Sequence, residues 1–223
     1  MRRTRSVFLI CVLLIAALVA FKVWRGGRID LYPGDEPPVT ALTLATDETA
    51  PAELPLPAGE RFEYRVIFKG IRLGQAVMTF LGPVERDGRT LYHVRFETRV
   101  PSLHDVEDIY AEPGTWLPVL VDRDIKKFIG GEKLFEIYDQ DNAEVRIRRE
   151  NGEELVISKN EPLHNPILLT YFFRTRDEKD FARPLDVSLP RMDLTIEYKG
   201  VESVETLAGT EEAYHFSSRG GEF

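Results

Sequence analysis

Apolar or β-branched residues occupy every second position over two long stretches of this chain, residues 62–68 and 92–100. Charged or polar residues fill nearly all the positions between them. Side chains alternate between the two faces of a β-strand, so this period places the apolar groups of each stretch on one face. A chain with this pattern has to bury those faces, and the sequence therefore predicts strands of an antiparallel sheet.

Turn-forming residues separate the short apolar segments that follow. They lie at residues 69–74, Asp87-Gly88, residues 112–115, Gly130-Gly131, residues 139–142 and Asn151-Gly152. Short connections of this kind join neighbouring antiparallel strands, so their spacing predicts a β-meander. Further strands are predicted over residues 193–207 and 211–217.

One segment breaks the alternation and predicts a helix. Asn165 is suited to cap it, Pro166 to occupy its first position, and basic residues close it near Arg176. Because residues 167–173 are almost continuously apolar, this helix is predicted to be buried against the concave face of the sheet. The predicted fold is mainly β: an antiparallel curved sheet, as a half-barrel or a barrel, with one buried helix.

The N-terminus carries a candidate membrane segment. Residues 7–24 are apolar except for Lys22, and as a helix they would span roughly 27 Å. Lys22 and Trp24 suit the outer interface. Three arginines precede the run, but Lys22, Arg25 and Arg28 follow it, so the positive-inside count is nearly even and only the short N-terminal tail favours a cytoplasmic N-terminus. The sequence predicts a transmembrane signal anchor over residues 1–25, with a cleavable signal peptide as the alternative.

A Pro-rich segment separates this anchor from the β-rich part. Residues 26–58 begin with two glycines and contain six prolines, so they predict a flexible linker that reaches at most about 90 Å. The exported domain is predicted over residues 59–223. We expect a single-pass inner-membrane protein of a Gram-negative-type cell, with its C-terminal domain in the periplasm.

Composition narrows the classes of function. The formal net charge is −8, whereas a nucleic-acid or anionic-lipid surface needs clustered positive charge. The only cysteine, Cys11, lies in the apolar run, and no phosphate loop, nucleophile elbow or zinc spacing occurs in the sequence. We therefore expect a protein that is not an enzyme and has no cofactor, no metal and no nucleic-acid partner.

The densest group of potential metal ligands is residues 104–108, with one histidine and three carboxylates. Alternation along a strand splits this group between the two faces of a sheet, which favours ordinary charge pairing over a metal site. Asp122 and Asp124 share a strand face and have basic neighbours for charge pairing. His93 is predicted to lie on a solvated, charged face.

Four short motifs follow one another after residue 58. They are Gly59-Glu60-x-Phe62-x-Tyr64-x-Val66, Gly70-Ile71-x-x-Gly74-x-Ala76, Leu169-x-Tyr171-Phe172-Phe173-Arg174 and Gly209-Thr210. In this order they resemble an exported bacterial family, the domain of unknown function 3108 (DUF3108), over roughly residues 59–223. The resemblance implies a periplasmic or secreted β-rich domain and no assigned reaction. It also implies one or two strands after residues 214–216, so the ending Gly220-Gly221-Glu222-Phe223 predicts a domain truncated within a hairpin, with an unpaired sheet edge.

The predicted architecture indicates a function in binding. A curved sheet closed by an apolar helix can hold an apolar ligand, and Tyr171, Phe172 and Arg174 are the candidate ligand-binding residues. The alternative for Arg174 is structural, because its charge meets the negative end of the helix dipole. We expect a membrane-tethered periplasmic binding module for an envelope lipid or an envelope protein. A scaffold subunit of an envelope assembly and a cell-wall or glycan hydrolase are the alternatives.

Overall fold

The computed structural model describes residues 56–68, 71–206 and 209–220. They form two compact units, which divide between Pro162 and Leu163. The predicted anchor and nearly all of the predicted linker lie outside the described residues. Within the described ranges, no helix has the length and apolar character required to span a membrane.

The first unit is an eight-stranded antiparallel sheet. Its strands are β1 (Arg61–Phe68), β2 (Ile71–Arg86), β3 (Arg89–Val100), β4 (Leu103–Ala111), β5 (Pro118–Lys127), β6 (Gly131–Asp139), β7 (Glu144–Arg149) and β8 (Glu154–Ser158). Each strand pairs with the next one along the chain, in the order β1 to β8. The predicted antiparallel meander is therefore confirmed.

This sheet is open. Among the described residues, β1 pairs only with β2 and β8 pairs only with β7, so the closed barrel, one of the two predicted forms, is wrong. Closure would require hydrogen bonds between the first and last strands. Residue alternation predicts which strands are one-sided, but it contains no information on that long-range pairing.

One face of the sheet, called the buried face below, carries most of the core. An aromatic group near one end of this face joins β2, β3 and the β4–β5 connection: the ring centroids of Phe80 and Tyr92 lie 5.4 Å apart, and that of Trp116 lies 5.7 and 4.9 Å from them. Trp116 is 1% exposed although it follows the end of β4. This connection is therefore fixed by packing of its aromatic residue.

The buried face is not wholly apolar, whereas the sequence predicts an apolar face. Arg123 on β5 donates a hydrogen bond of 2.8 Å from Nε to Asp105 on β4 and a second one from Nη2 to the same carboxylate. Its Nη2 also lies 3.2 Å from Oε1 of Glu107. Burial disfavours the charged form of Arg123, but Glu107 and Asp105 outweigh burial and raise its pKa. The three residues form a buried ion group.

The second unit is a three-stranded antiparallel sheet preceded by short helical segments. Its strands are β9 (Leu185–Leu189), β10 (Met192–Thr206) and β11 (Gly209–Gly220), in the order β11-β10-β9, and a 3₁₀ helix spans Glu178–Phe181. The single predicted sheet is therefore wrong, because the strands after the helix form a sheet of their own. Strand β9 has only five residues and was not predicted.

Helix α1 (Leu169–Arg174) is shorter than the predicted segment of residues 165–176. Oδ1 of Asn165 caps the preceding turn, since it accepts hydrogen bonds of 2.8 and 3.4 Å from the backbone N–H groups of Ile167 and Leu168. Residues 169–173 are buried, which confirms a buried helix. Phe173 stacks on Phe216 of β11, with ring centroids 4.3 Å apart.

A glycine allows strands β2 and β3 to approach closely near one end of the large sheet. A Cβ at Gly74 would lie 2.0 Å from the carbonyl oxygen of Arg99 and 3.0 Å from Cγ1 of Val100. Real Cβ atoms do not come this close to backbone oxygen, so this approach requires glycine.

Replacing Arg123 by Ala should lower the free energy of unfolding by about 3–5 kcal/mol, because it leaves Asp105 and Glu107 buried without their cation. Chemical denaturation at neutral pH measures the change. The control is Lys126→Ala, which removes an exposed cation from the same strand and should change stability by less than about 0.5 kcal/mol. Equal effects of the two substitutions would contradict a structural role for the buried ion group.

Gly74→Ala should destabilise the first unit by about 1–3 kcal/mol, because β2 and β3 have to separate to accommodate the methyl group. Thermal unfolding followed by circular dichroism measures this effect. Gln75→Ala is the matched control, since Gln75 is the next residue on β2 and its side chain is exposed. If the Gly74→Ala protein has the same melting temperature as the Gln75→Ala control, β2 and β3 do not approach as closely as described.

Candidate binding surface

The meander brings alternate hairpin connections to the same end of the large sheet. Because β1 to β8 pair in sequence order, the β1–β2, β3–β4, β5–β6 and β7–β8 connections lie at one end. The β2–β3, β4–β5 and β6–β7 connections lie at the other. The two ends therefore present different sets of side chains.

Five large apolar side chains are exposed at the first end. Phe128 and Ile129, between β5 and β6, are 88% and 85% exposed, and Ile71 is 66% exposed. We call the set the apolar rim: Ile67, Ile71, Leu73, Phe128 and Ile129. It contains five of the nine large hydrophobic side chains that are exposed among the described residues. Exposed apolar residues that cluster in this way, rather than scatter singly, mark interaction sites.

The strand register aligns the members of the rim across the sheet, close to the same end of each strand. Gln75 of β2 lies opposite Arg99 of β3, Arg99 lies opposite His104 of β4, and His104 lies opposite Lys126 of β5. Beyond Lys126, the N–H of Phe128 donates a hydrogen bond of 3.2 Å to the carbonyl oxygen of Ser102 in the β3–β4 connection. Neighbouring strands lie about 4.8 Å apart, so the rim extends over roughly 24 Å from β1 to β6.

The rim is flanked by basic residues. Three of the four segments that form this end, residues 67–73, 99–104 and 126–131, contain no Asp or Glu. The fourth, residues 150–153 between β7 and β8, contains Glu150 and Glu153. Exposed cations of the described residues here are Arg65, Arg72, Arg99, Lys126 and Lys127. A local positive surface thus exists in a chain with a net charge of −8, which the overall composition does not indicate.

The opposite end of the sheet is polar. Its turns are built on Asp87-Gly88, Glu112-Pro113-Gly114 and Asp139-Gln140-Asp141. Trp116, in the β4–β5 connection, is buried, and of the exposed large hydrophobics of the described chain only Ile137, 37% exposed and two residues before the end of β6, lies near these three connections. The asymmetry between the ends indicates that the rim is a specific feature and not a general property of the turns.

The charged face of the sheet, opposite the buried face, carries a polar cluster. Nε2 of His93 lies 2.7 Å from Oδ1 of Asp108, and Arg95 donates hydrogen bonds of 2.8 and 2.9 Å to the same carboxylate. The ring of His93 stacks on Tyr110, with centroids 4.6 Å apart. Because its side chain is only 13% exposed, the prediction of a solvated His93 is wrong. The shielding comes from neighbouring strands, which alternation does not reveal.

Two facing carboxylates in this cluster have opposite pKa shifts. Burial would raise the pKa of Asp108, but hydrogen bonds from His93 and Arg95 outweigh burial and lower it. Burial and the charge of Asp108 raise the pKa of Asp122, which lies directly opposite on β5. Separated pKa values are one requirement of acid–base catalysis. Since His93 and Arg95 on β3 already bind Asp108 on β4, we interpret this cluster as one that stabilises the pairing of these two strands.

Residues 104–108 divide between the two faces, as alternation predicts. Nε2 of His104 lies 2.6 Å from Oε1 of Glu97 on the charged face, whereas Asp105 binds Arg123 on the buried face. In the described part of the chain, no group of three or more His, Cys, Asp or Glu residues is arranged to hold a metal ion.

Helix α1 holds the three residues predicted to bind a ligand. Tyr171 is fully buried, Phe172 is buried, and the half-buried Arg174 ends the helix. The ring of Phe172 meets His164 edge to face at 5.6 Å, and the guanidinium of Arg176 lies 4.0 Å from its centroid. These residues thus belong to the packed interior of the second unit, and ligand binding by them stays a prediction.

Sequence reasoning recognised the Gly130-Gly131 turn but missed the rim beside it. A signal was present, because two large apolar residues, Phe128 and Ile129, directly precede the glycines at a place where a surface turn is usually polar. Lys126 and Lys127 directly precede Phe128 and Ile129 in the sequence. That Leu73 lies at the same end of the sheet as this turn, in contrast, depends on the strand order.

Fold and surface together define a β-rich domain with one apolar, basic end. The chain belongs to the family described as "Protein of unknown function (DUF3108)", whose model matches residues 63–222. The family resemblance of the sequence motifs is therefore confirmed. No curated protein and no solved structure matches the chain.

His164 should make the stability of the protein depend on pH. Burial and the positive charge of Arg176 lower its pKa from 6.5 to about 4. Unfolded His164 therefore binds a proton in the range between these values while the folded residue stays neutral, and stability falls as the pH drops through this range. Between pH 7 and 5 the loss from this residue should be about 2 kcal/mol.

Urea denaturation at the two pH values, compared between the wild type and His164→Gln, isolates this contribution. The variant should lose about 2 kcal/mol less than the wild type on acidification, because it lacks the titrating group. Identical pH dependence of the two proteins would show that His164 is not buried in its neutral form.

Proposed function

We propose that this protein is a membrane-tethered, non-enzymatic binding module of the cell envelope, which holds an apolar partner on its rim. The observation that carries the proposal is the exposure of Ile67, Ile71, Leu73, Phe128 and Ile129 at one end of the large sheet. Burial of exposed apolar surface by a partner lowers the free energy of the complex. The opposite, polar end offers no such gain.

The energetics favour a partner that is held nearby. Complete burial of a side chain such as Phe128 contributes about 1.5–3 kcal/mol. Association costs an estimated 4–15 kcal/mol in lost freedom of motion, so a rim of five side chains supports weak binding by itself. A tether that keeps both partners in a small volume raises their effective concentration and compensates for weak contacts.

The tether in this proposal is the N-terminal segment. Residues 7–24 would anchor the chain in the inner membrane as a single pass, and the Pro-rich linker would place the domain in the periplasm within about 90 Å of the bilayer. The apolar run, the six linker prolines and the absence of cysteine from residues 59–223 support this location.

We further propose that the eight-stranded sheet is curved as a half-barrel. Register shifts interrupt the β1–β2 pairing at Val66/Ile67, the β2–β3 pairing at Phe80/Gly82 and the β4–β5 pairing at Tyr110/Ala111. Such bulges bend strands and increase their twist, which supports a curved form.

The ion pairs of the polar cluster support a non-enzymatic role. His93 and Asp108 have the residue types of a catalytic dyad, but Asp108 is also bound by Arg95 in a two-bonded ion pair. A general base has to offer its acceptor atom to a substrate proton. Charge pairing within the sheet therefore accounts for these residues better than catalysis does.

Site-specific photocrosslinking in cells that make the full chain tests the proposal. A photoreactive phenylalanine analogue replaces Phe128 and, as the matched control, Val156, which is 44% exposed on β8 outside the rim. The probe at position 128 should give one reproducible adduct with an envelope lipid or protein, because the rim contacts the partner. The probe at position 156 should give none.

Location is checked in the same cells. Cys11→Ser with Ser203→Cys, an exposed position of β10, should react with a membrane-impermeant maleimide once the outer membrane is opened. Equal adducts at positions 128 and 156, or protection of the thiol until the inner membrane is broken, would refute the proposal.

A further inference from the structure

We infer that the partner of the apolar rim is the surface of an anionic phospholipid bilayer, into which Ile71 at the start of β2 and the β5–β6 connection insert. This inference rests on the proposed function and names its partner. The apolar rim supplies the inserted groups, and the basic residues around it supply the selectivity for lipid charge.

The shape of the rim suits a fluid surface. Phe128 and Ile129 are almost wholly exposed at the tip of one hairpin, and Ile71 is exposed at the start of β2. Side chains that project in this way enter the interface of a bilayer to a depth of about 5–10 Å. Gly130 and Gly131 follow the tip directly, so no further side chain obstructs its approach there.

The charges of the rim select an anionic surface. Lys126 and Lys127 precede the projecting pair, and Arg72 separates Ile71 from Leu73, so each exposed apolar group has a cation beside it. Near an anionic membrane each Lys or Arg strengthens binding by roughly five-fold. A partner rich in basic groups would instead be repelled by this end of the sheet.

Most of the acidic residues closest to the rim are paired with cations. Glu97 lies 2.6 Å from Arg99, Asp124 lies 3.3 Å from Lys126, and Arg149 lies 3.0 Å from Glu132 and 2.9 Å from Glu153. Glu150 lies in the β7–β8 connection, two strands beyond the β5–β6 tip. More distant carboxylates are screened, since interactions between exposed charges decay over about 8 Å at physiological salt. The net charge of −8 therefore does not oppose docking of this one end.

The position of the linker is compatible with this orientation. The chain enters β1 at Arg61, which pairs with Thr79, whereas the rim begins at Ile67 at the far end of the same strand. The two points lie roughly 20 Å apart along the strand. A linker with a reach of about 90 Å spans this distance easily, so the anchored domain can turn its rim toward the same bilayer.

Fluorescence of the full chain in vesicles tests the inference. Cys11→Ser combined with Ile129→Cys carries an environment-sensitive nitrobenzoxadiazole label, and Val156→Cys carries it in the control. Each protein is inserted into vesicles of phosphatidylcholine alone or of phosphatidylcholine mixed with phosphatidylglycerol. The label at position 129 should brighten and shift to the blue only with phosphatidylglycerol, and high salt should reverse the change. The label at position 156 should not respond.

A charge variant separates insertion from unspecific adhesion. Arg72→Gln with Lys127→Gln, two exposed cations of the rim, should lower the docking equilibrium by roughly 25-fold, from roughly five-fold per cation, while the melting temperature stays near that of the parent. An equal response of position 129 in both lipids would overturn the selectivity for anionic lipid. No response in either lipid, together with a protein adduct from the probe at position 128, would overturn this inference and leave the proposed function intact. No response and no adduct would refute both.

Discussion

In the large sheet every strand pairs with the strand that follows it in the chain, and the register of this pairing positions everything else in the first unit. Because side chains alternate with a period of two, a slip of one residue would exchange the two faces of a strand. The observed register puts Asp105 opposite Ile125 and Thr98 opposite Asp105, on the buried face. It also gathers alternate hairpin connections at one end, where the apolar rim lies.

The buried ion group is tied to this register. Arg123 meets Asp105 and Glu107 because β4 and β5 are aligned so that all three side chains lie on the same face. After a slip of one residue, the two carboxylates would remain buried while their cation pointed to the other face. A buried charge without a partner is costly, so the group penalises the wrong alignment more than it stabilises the right one.

Two glycines of the sequence motifs have a physical explanation in the strand pairing. At Gly74 a side chain would collide with the backbone of β3, at the end of the sheet that carries the rim. At Gly59 the backbone N–H donates to the carbonyl oxygen of Phe80 at 2.7 Å, with φ at 84°, so the chain enters the sheet through a conformation that favours glycine. Both glycines thus serve the geometry of β2. That geometry in turn fixes where Ile71 and Leu73 lie relative to Phe128, and the proposed binding surface depends on this placement.

Elements with a local signal were predictable from the residues. Period-two alternation predicted the strands and the faces of their residues, turn chemistry predicted the hairpins, and Asn165 predicted the start of the helical segment. Long-range packing and pairing determine that the strands form two sheets, that the large sheet stays open, that His93 is shielded, and that Ile71 and Phe128 lie at the same end of the large sheet. The physical reason is that alternation is set by the direction of each side chain along its own strand. Which strands become neighbours depends on hydrogen bonds and packing between segments far apart in the chain, and no local pattern encodes these.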